Sequence, residues 1–160
     1  MLFLLNTPEY TNVQSNTTKV KVHLKNGVAE ILDQHQDLMG RVENNIVEIE
    51  TNFENKTEKN LFVLQDAVFI VSTKGLDKKL DKKTSVYVYA KNVKEINSRL
   101  AVDEITKQYE KKMSLLETET LKLSAQNSEK LESSIKSKIF MLNEDAEFLK
   151  KVLTLAKQPK

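Results

Sequence analysis

The sequence predicts an α+β fold in two parts: an N-terminal antiparallel β-sandwich or barrel over residues 1–95, then a C-terminal antiparallel two-helix hairpin over residues 96–160. Three observations predict it. Apolar residues recur every second position before about Ile96 and every third or fourth position after it. Polar segments break the first part into short runs rich in β-branched and aromatic residues. Neither proline nor glycine interrupts residues 97–158, so a helix has nothing to stop it there.

In chain order, Leu2 to Leu5 form a first strand, stopped by Thr7-Pro8. Lys19-Val20-Lys21-Val22-His23-Leu24 alternates polar and apolar, the pattern of a half-buried strand. Ile46-Val47-Glu48-Ile49-Glu50 and Ser85-Val86-Tyr87-Val88-Tyr89 do the same, and Leu61–Leu64 and Val68–Val71 are short apolar runs. Thr51 to Asn60 and Thr73 to Lys83 hold few apolar residues and read as long hairpin loops. Many short strands joined by polar turns predict a sandwich or barrel.

Past Ile96, Asn97 or Ser98 is a suitable N-cap, because a short polar side chain satisfies the free amides of a first turn. Val102, Ile105, Tyr109, Met113 and Leu116 then form one apolar stripe. Ala125-Gln126-Asn127-Ser128 is the expected turn, with Ser128 as a second cap. A stronger stripe follows at Leu131, Ile135, Ile139, Leu142, Ala146, Leu149, Leu153 and Ala156. Two such helices joined by a short turn pack antiparallel on their stripes. An isolated pair buries one side of each helix, so a further surface for the hairpin is expected.

The composition limits function. With 25 basic and 23 acidic residues mixed along the chain, there is no concentrated basic surface of the kind that displaces counterions from nucleic acid. No cysteine is present, which excludes disulfides, thiolate metal sites and a cysteine nucleophile. No apolar run approaches the twenty or so residues of a membrane span. These features predict a soluble intracellular protein that does not insert into a membrane or bind nucleic acid. The histidines, His23 and His35, read as a strand residue and as a turn or hydrogen-bonding residue among Asp33, Gln34 and Asp37; the latter set has no recognised metal-ligand spacing. The Lys-rich segment 74–83 reads as a solvated loop tip rather than a contact for an acidic partner. The helical stripes carry mixed charge on their polar faces, which favours packing over a membrane surface. No nucleophile–base pair is visible, so a non-catalytic protein without a cofactor is expected.

The order of a small β domain and a helical hairpin resembles the epsilon subunit of F-type ATP synthases, called delta in mitochondria. Thr7-Pro8-Glu9 follows the first strand as in that family. Gly27, Ile31-Leu32, His35 and Leu38 match its spacing without a gap, and Ile96-Asn97 stands where the family opens its first helix. The chain also departs from the pattern. Asp33-Gln34 replaces a Pro-Gly, Leu64-Gln65-Asp66-Ala67 replaces a Ser-Gly-Gly-Phe strand, and both long loops look like insertions. Some bacterial members bind ATP through Ile-Asp-x-x-Arg-Ala; here Arg99 stands one place early in Ile96-Asn97-Ser98-Arg99-Leu100-Ala101, so the motif is not matched and leaves nucleotide binding undecided. The resemblance implies a divergent central-stalk subunit of a rotary ATPase, one serving a specialised ATP-driven motor. It would bind a gamma-type stalk subunit, sit below an alpha/beta catalytic head, touch a c-subunit ring where one is present, and lie in the cytoplasm peripheral to the membrane. The stretch from Gly27 to His35 aligns with the family's ring- and gamma-contacting loop. The resemblance therefore implies partner contact by Gly27, Glu30, Asp33, His35 and Leu38. In bacterial relatives an extended hairpin inhibits ATP hydrolysis. The competing expectation, from the residues alone, is a non-enzymatic adaptor or scaffold whose hairpin joins a partner's helix bundle.

Overall fold

The computed structural model describes residues 1–73, 84–125 and 129–158. The Lys-rich segment 74–83 and the expected turn and cap at 126–128 lie outside the described residues. The chain divides into two compact units, Met1–Asn97 and Ser98–Lys160.

The first unit holds eight strands: β1 Leu2–Asn6, β2 Thr11–Gln14, β3 Thr17–Leu24, β4 Gly27–Leu32, β5 Leu38–Val42, β6 Asn45–Phe53, β7 Lys56–Ser72 and β8 Ser85–Glu95. They pair in the order β2-β1-β8-β7-β6-β3-β4, with β5 also on β7. β5 and β6 lie end to end along the same edge of β7, and one register runs unbroken from Leu38↔Val71 to Phe53↔Lys56. β7 and β8 are therefore shared by two halves of a sandwich. One half is β2-β1-β8-β7-β5 and the other is β4-β3-β6-β7-β8. All pairs are antiparallel except β1 with β8, which run parallel. That exception to the all-antiparallel expectation is possible because nearly the whole domain serves as the crossover between the two strands.

The inward rhythm slips by one residue at the same level on β7, on β8 and along the β5–β6 edge. On β7, Phe62 and Leu64 point into the core, and then Ala67, Phe69 and Val71 do. Along the β5–β6 edge the inward set passes from Val42 to Val47 and Ile49, and on β8 from Val86, Val88 and Ala90 to Val93. Asn44 and Asp66 sit at this level with left-handed φ of 46° and 47°, a conformation that asparagine and aspartate tolerate better than most residues. Arg41 ties the corner by donating to Asp66 Oδ1 at 3.0 Å, with Glu43 at 3.4 Å. The slip lets both halves turn their apolar rows to one core, where Phe3 and Phe62 from opposite halves stack with centroids 6.4 Å apart. On β5, Gly40 lies against the Phe69 ring, which would stand 2.6 Å from an added Cβ.

The apolar runs at 61–64 and 68–71 are thus one strand carried across the slip. The expected loop at 51–60 is a two-residue turn at Glu54-Asn55, with φ of 47° and 65°, the left-handed pair that a tight antiparallel hairpin needs. Strands flank it up to Phe53 and from Lys56. β2, β4 and β5 carry too few alternating residues to have been predicted.

In the second unit α1 spans Val102–Ser124 and α2 spans Glu129–Ala156. Neither Asn97 nor Ser98 caps α1. Its N-cap is Ala101, which makes no side-chain bond, and Asp103 and Glu104 instead set negative charge against the helix N-terminus. The covered row on α1 runs through Ile105, Tyr109, Lys112, Leu116, Glu119 and Leu123. Met113 falls beside that row, 41% exposed, because Lys112 takes the place in it and donates to Asp145 Oδ2 of α2 at 3.1 Å. On α2 the expected stripe holds from Ile135 onward, Leu131 is exposed, and Phe148 and Val152 are buried outside it. No described helix is long and apolar enough to cross a membrane.

The slip makes a specific demand on residue 66. Asp66→Gly should leave urea stability nearly unchanged, whereas Asp66→Val, β-branched at a left-handed position, should lower it by about 1–3 kcal/mol. Equal stability of the two variants would show that the corner does not depend on this backbone conformation.

Candidate functional site

The residues implied in partner contact do not form one cluster. Gly27 opens β4 at the far end of the strand from the rest, some 17 Å from Leu32 at about 3.3 Å per residue. Its φ of 152° falls where side chains are disfavoured, while an added Cβ would meet nothing within 4 Å, so backbone conformation alone asks for glycine. The turn it closes is Lys25-Asn26, with Leu24 paired to Gly27. The stretch from Gly27 to His35 is thus mostly strand rather than loop.

Glu30 lies mid-strand on the outer face of β4. Its carboxylate stands 3.8 Å from Lys19 and 3.8 Å from Lys21 on β3. The lattice continues from Lys19 to Glu50, from Glu50 to Lys59 at 3.3 Å, and from His23 to Glu48 at 3.1 Å. Lys59 bonds the Glu50 carboxyl and holds it below the usual carboxylate range, with Lys19 adding to the effect. Such exposed pairs contribute little individually. Charge on this face is satisfied within the sheet.

Asp33, His35 and Leu38 do come together, at the end of the sandwich where β4 passes to β5. Asp33 Oδ1 accepts from the Gln34 amide at 3.1 Å and from the Thr84 amide at 3.3 Å, and the Gln34 amide also donates to Thr84 Oγ1 at 2.7 Å. Asp37 Oδ1 accepts from the Thr73 amide at 2.9 Å and from Thr73 Oγ1 at 3.1 Å. Two aspartates from one short connection therefore hold the last residues before and after segment 74–83. Gln34 adopts a left-handed φ of 63°, which turns its amide toward this network. The amide of His35 donates to the Leu32 carbonyl at 3.2 Å, and its ring Nδ1 lies 2.7 Å from the Gln36 carbonyl oxygen. Asp33 and His35 thus shape the connection itself.

Around that frame stand apolar side chains in solvent: Leu32, Leu38 and, at 71% exposure, Met39. Leu32 and Met39 are exposed apolar residues at this end that the sequence reading did not single out for partner contact, and the adjacent Leu38-Met39 pair was the signal available. Leu38 and Met39, successive on β5, face opposite sides of the strand, so a partner surface that meets both has to cover this end of the sheet. Nothing in the frame pairs a nucleophile with a base, and no group of three or more metal-ligating side chains gathers among the described residues.

No family model matches the sequence, and no curated protein sequence matches it either. Solved structures do. A chain of the Euglena gracilis mitochondrial ATP synthase, in the OSCP/F1/c-ring part in rotational state 1, superposes with a TM-score of 0.59 at 11% identity, over 95% of this chain and 78% of that one. A chain of the Tetrahymena thermophila mitochondrial ATP synthase, in the central stalk/c-ring part, gives a TM-score of 0.45 at 11% identity, over 66% and 69%. The Euglena likeness covers sandwich and hairpin alike, and it agrees with the epsilon-type resemblance carried by the motifs. At this identity it is a likeness of fold.

Asp33 gives a pH test of the frame. The Thr84 amide is the largest influence holding its carboxyl below the ordinary carboxylate value, and the Gln34 amide adds to it. A depressed folded-state pKa stabilises above the unfolded value, and that stabilisation is lost as pH falls through the lower folded value. Asp33→Asn should therefore be less stable than the parent at neutral pH, and the difference should fade below about pH 4. A difference independent of pH would show that the carboxylate charge takes no part in the frame.

Proposed function

We propose that the chain is a rotor-stalk subunit of a rotary F-type or F-type-like ATPase, binding a gamma-type subunit and acting on ATP synthesis or hydrolysis without catalysing either. The observation that carries this reading is the fold: an eight-stranded sandwich and then a two-helix hairpin, matched over 95% of the chain by a chain of an ATP synthase. The spacing of Gly27, Ile31-Leu32, His35 and Leu38 supports it from a separate direction.

In this reading the sandwich end with Leu32, Leu38 and Met39 makes partner contact, to the gamma-type subunit or to a c-subunit ring. Asp33 and His35 keep that end in shape, and Gly27 and Glu30 serve the strand that leads to it. The division of labour differs from direct contact by all five residues. The hairpin is the regulatory part: an apolar stripe that has more than one place to be buried can be biased by a partner across a few kcal/mol.

Two measurements test the proposal. A tagged full-length chain, purified from its own cells under native conditions, should bring down nucleotide-binding alpha- and beta-type subunits and a gamma-type subunit. Replacing Leu38 and Met39 together by lysine should reduce that recovery without changing the circular dichroism melt. Recovery of an unrelated helical assembly would instead favour an adaptor. Separately, removing residues 97–160 should raise ATP hydrolysis by the assembled complex; unchanged hydrolysis would remove the regulatory role from the hairpin.

A further inference from the structure

The outer edges of β7 and β8 are filled unequally. β5 and β6 lie end to end along the edge of β7 that faces away from β8. On β8, β1 covers the edge facing away from β7 only from Leu2↔Ser85 to Asn6↔Tyr89. β8 runs on to Glu95, and among the described residues no strand pairs with that edge beyond Tyr89. The chain turns off there into β2, with the Thr7 amide donating to the Tyr10 carbonyl at 2.8 Å. A groove of about 310 Å³ opens in the space so left, lined by Thr7, Glu9, Tyr10, Phe62 and residues 92–95.

The backbone of this edge says what kind of ligand fits it. The Ile96 amide donates to the Leu61 carbonyl of β7 at 2.8 Å. Hydrogen-bonded and non-hydrogen-bonded positions alternate along an antiparallel pair. Val93, opposite Leu64, and Glu95, opposite Phe62, therefore take non-hydrogen-bonded positions and aim their N–H and C=O away from β7. The Val93 amide agrees, since it donates to Oδ1 of the neighbouring Asn92 at 2.9 Å instead of to β7. The core row tells the same story. Val86 and Val88, opposite Phe3 and Leu5 of β1, are fully buried, while Val93, further along that row, is half-buried. An open strand edge beside a half-covered core residue is completed by another strand, which bonds the backbone and lays an apolar side chain on the core.

We propose that the 91–95 edge of β8 is a docking site for an extended segment of a partner protein, which adds as a strand end to end with β1, as β6 continues the line of β5 on β7. Asn92 guards the edge, because its side chain has to give up the Val93 amide before a strand can take it. The inference rests on the sandwich edge alone and stands or falls separately from the stalk assignment.

The test uses the full chain and a fluorescent peptide of about eight residues, alternating valine and lysine. In anisotropy titrations this peptide should bind. Asn92→Ala, which frees the Val93 amide, should tighten binding roughly threefold or more. Val93→Pro removes an amide that β7 does not use, so the ladder survives, and binding should fall at least roughly tenfold. Two further peptides carry N-methyl groups, one on its valines and the other on its lysines. An added strand turns one row of its amides to β8, so one methylated peptide should keep its binding and the other lose it, whether or not Val93→Pro folds. Equal binding of the two methylated peptides, no binding of the parent peptide, or undiminished binding by a folded Val93→Pro chain would each overturn the proposal. No tightening by Asn92→Ala would remove the guarding role from Asn92. Sedimentation showing that the chain self-associates and that Val93→Pro abolishes it would also overturn the proposal, because the edge would then belong to a second copy.

Discussion

One coordinated backbone feature organises the N-terminal unit: the one-residue slip shared by the β5–β6 edge, β7 and β8. A strand buries every second side chain, so a straight β7 of seventeen residues would present a single apolar face from end to end. The slip at Asn44 and Asp66 changes which parity points inward, and it does so on neighbouring strands at one level. Had a single strand shifted alone, every cross-strand pair beyond that point would have set an apolar residue against a polar one. Because the shift is shared, the pair register from Leu38↔Val71 to Phe53↔Lys56 survives intact, and β7 and β8 can serve both halves of the sandwich.

The candidate site follows from that architecture. β5 pairs with the part of β7 beyond the slip, which places Leu38 and Met39 at one end of the sandwich beside the last residues of β7. There the carboxylates of Asp33 and Asp37 each take the backbone amide of a threonine next to segment 74–83. Charge-assisted bonds of this kind fix a short connection that has no sheet of its own. Exposed apolar side chains on a fixed connection lose less freedom on binding than the same side chains on a loose one. The helical unit has its own constraint, since Lys112 and Glu119 occupy seam positions where apolar residues would ordinarily sit. The Lys112–Asp145 bond sets the register of the two helices, as polar seam residues do elsewhere at some cost in stability.

Much of the fold was legible in the sequence because period and element type are tied by geometry. The change of rhythm near Ile96 told the strand-forming part from the helix-forming part, and the clean alternation at Lys19–Leu24 and Ser85–Tyr89 marked true strands. What the period could not carry was the slip itself. A run whose parity changes midway reads as two short strands, which is how β7 presented itself at 61–64 and 68–71. The turn at Glu54-Asn55 was hidden because it lacks the glycine that ordinarily marks such a hairpin. Met113 read as a stripe residue because spacing of three or four admits either of two adjacent positions; only the bond from Lys112 decides between them. The family spacing drew attention to the stretch from Gly27 to Leu38, yet the threonines that bond its Asp37 and Asp33, Thr73 and Thr84, lie 36 and 51 residues away and no local pattern announces them.

The claim that joins these observations is that the sandwich end and the hairpin are both parts of a rotor. Electron cryomicroscopy of the native assembly carrying this chain would address it most directly. The account predicts the chain at the foot of a central stalk, on the axis below a hexameric head, with Leu32, Leu38 and Met39 covered by protein. Finding it on the outside of the head, or in an assembly without such an axis, would contradict the account.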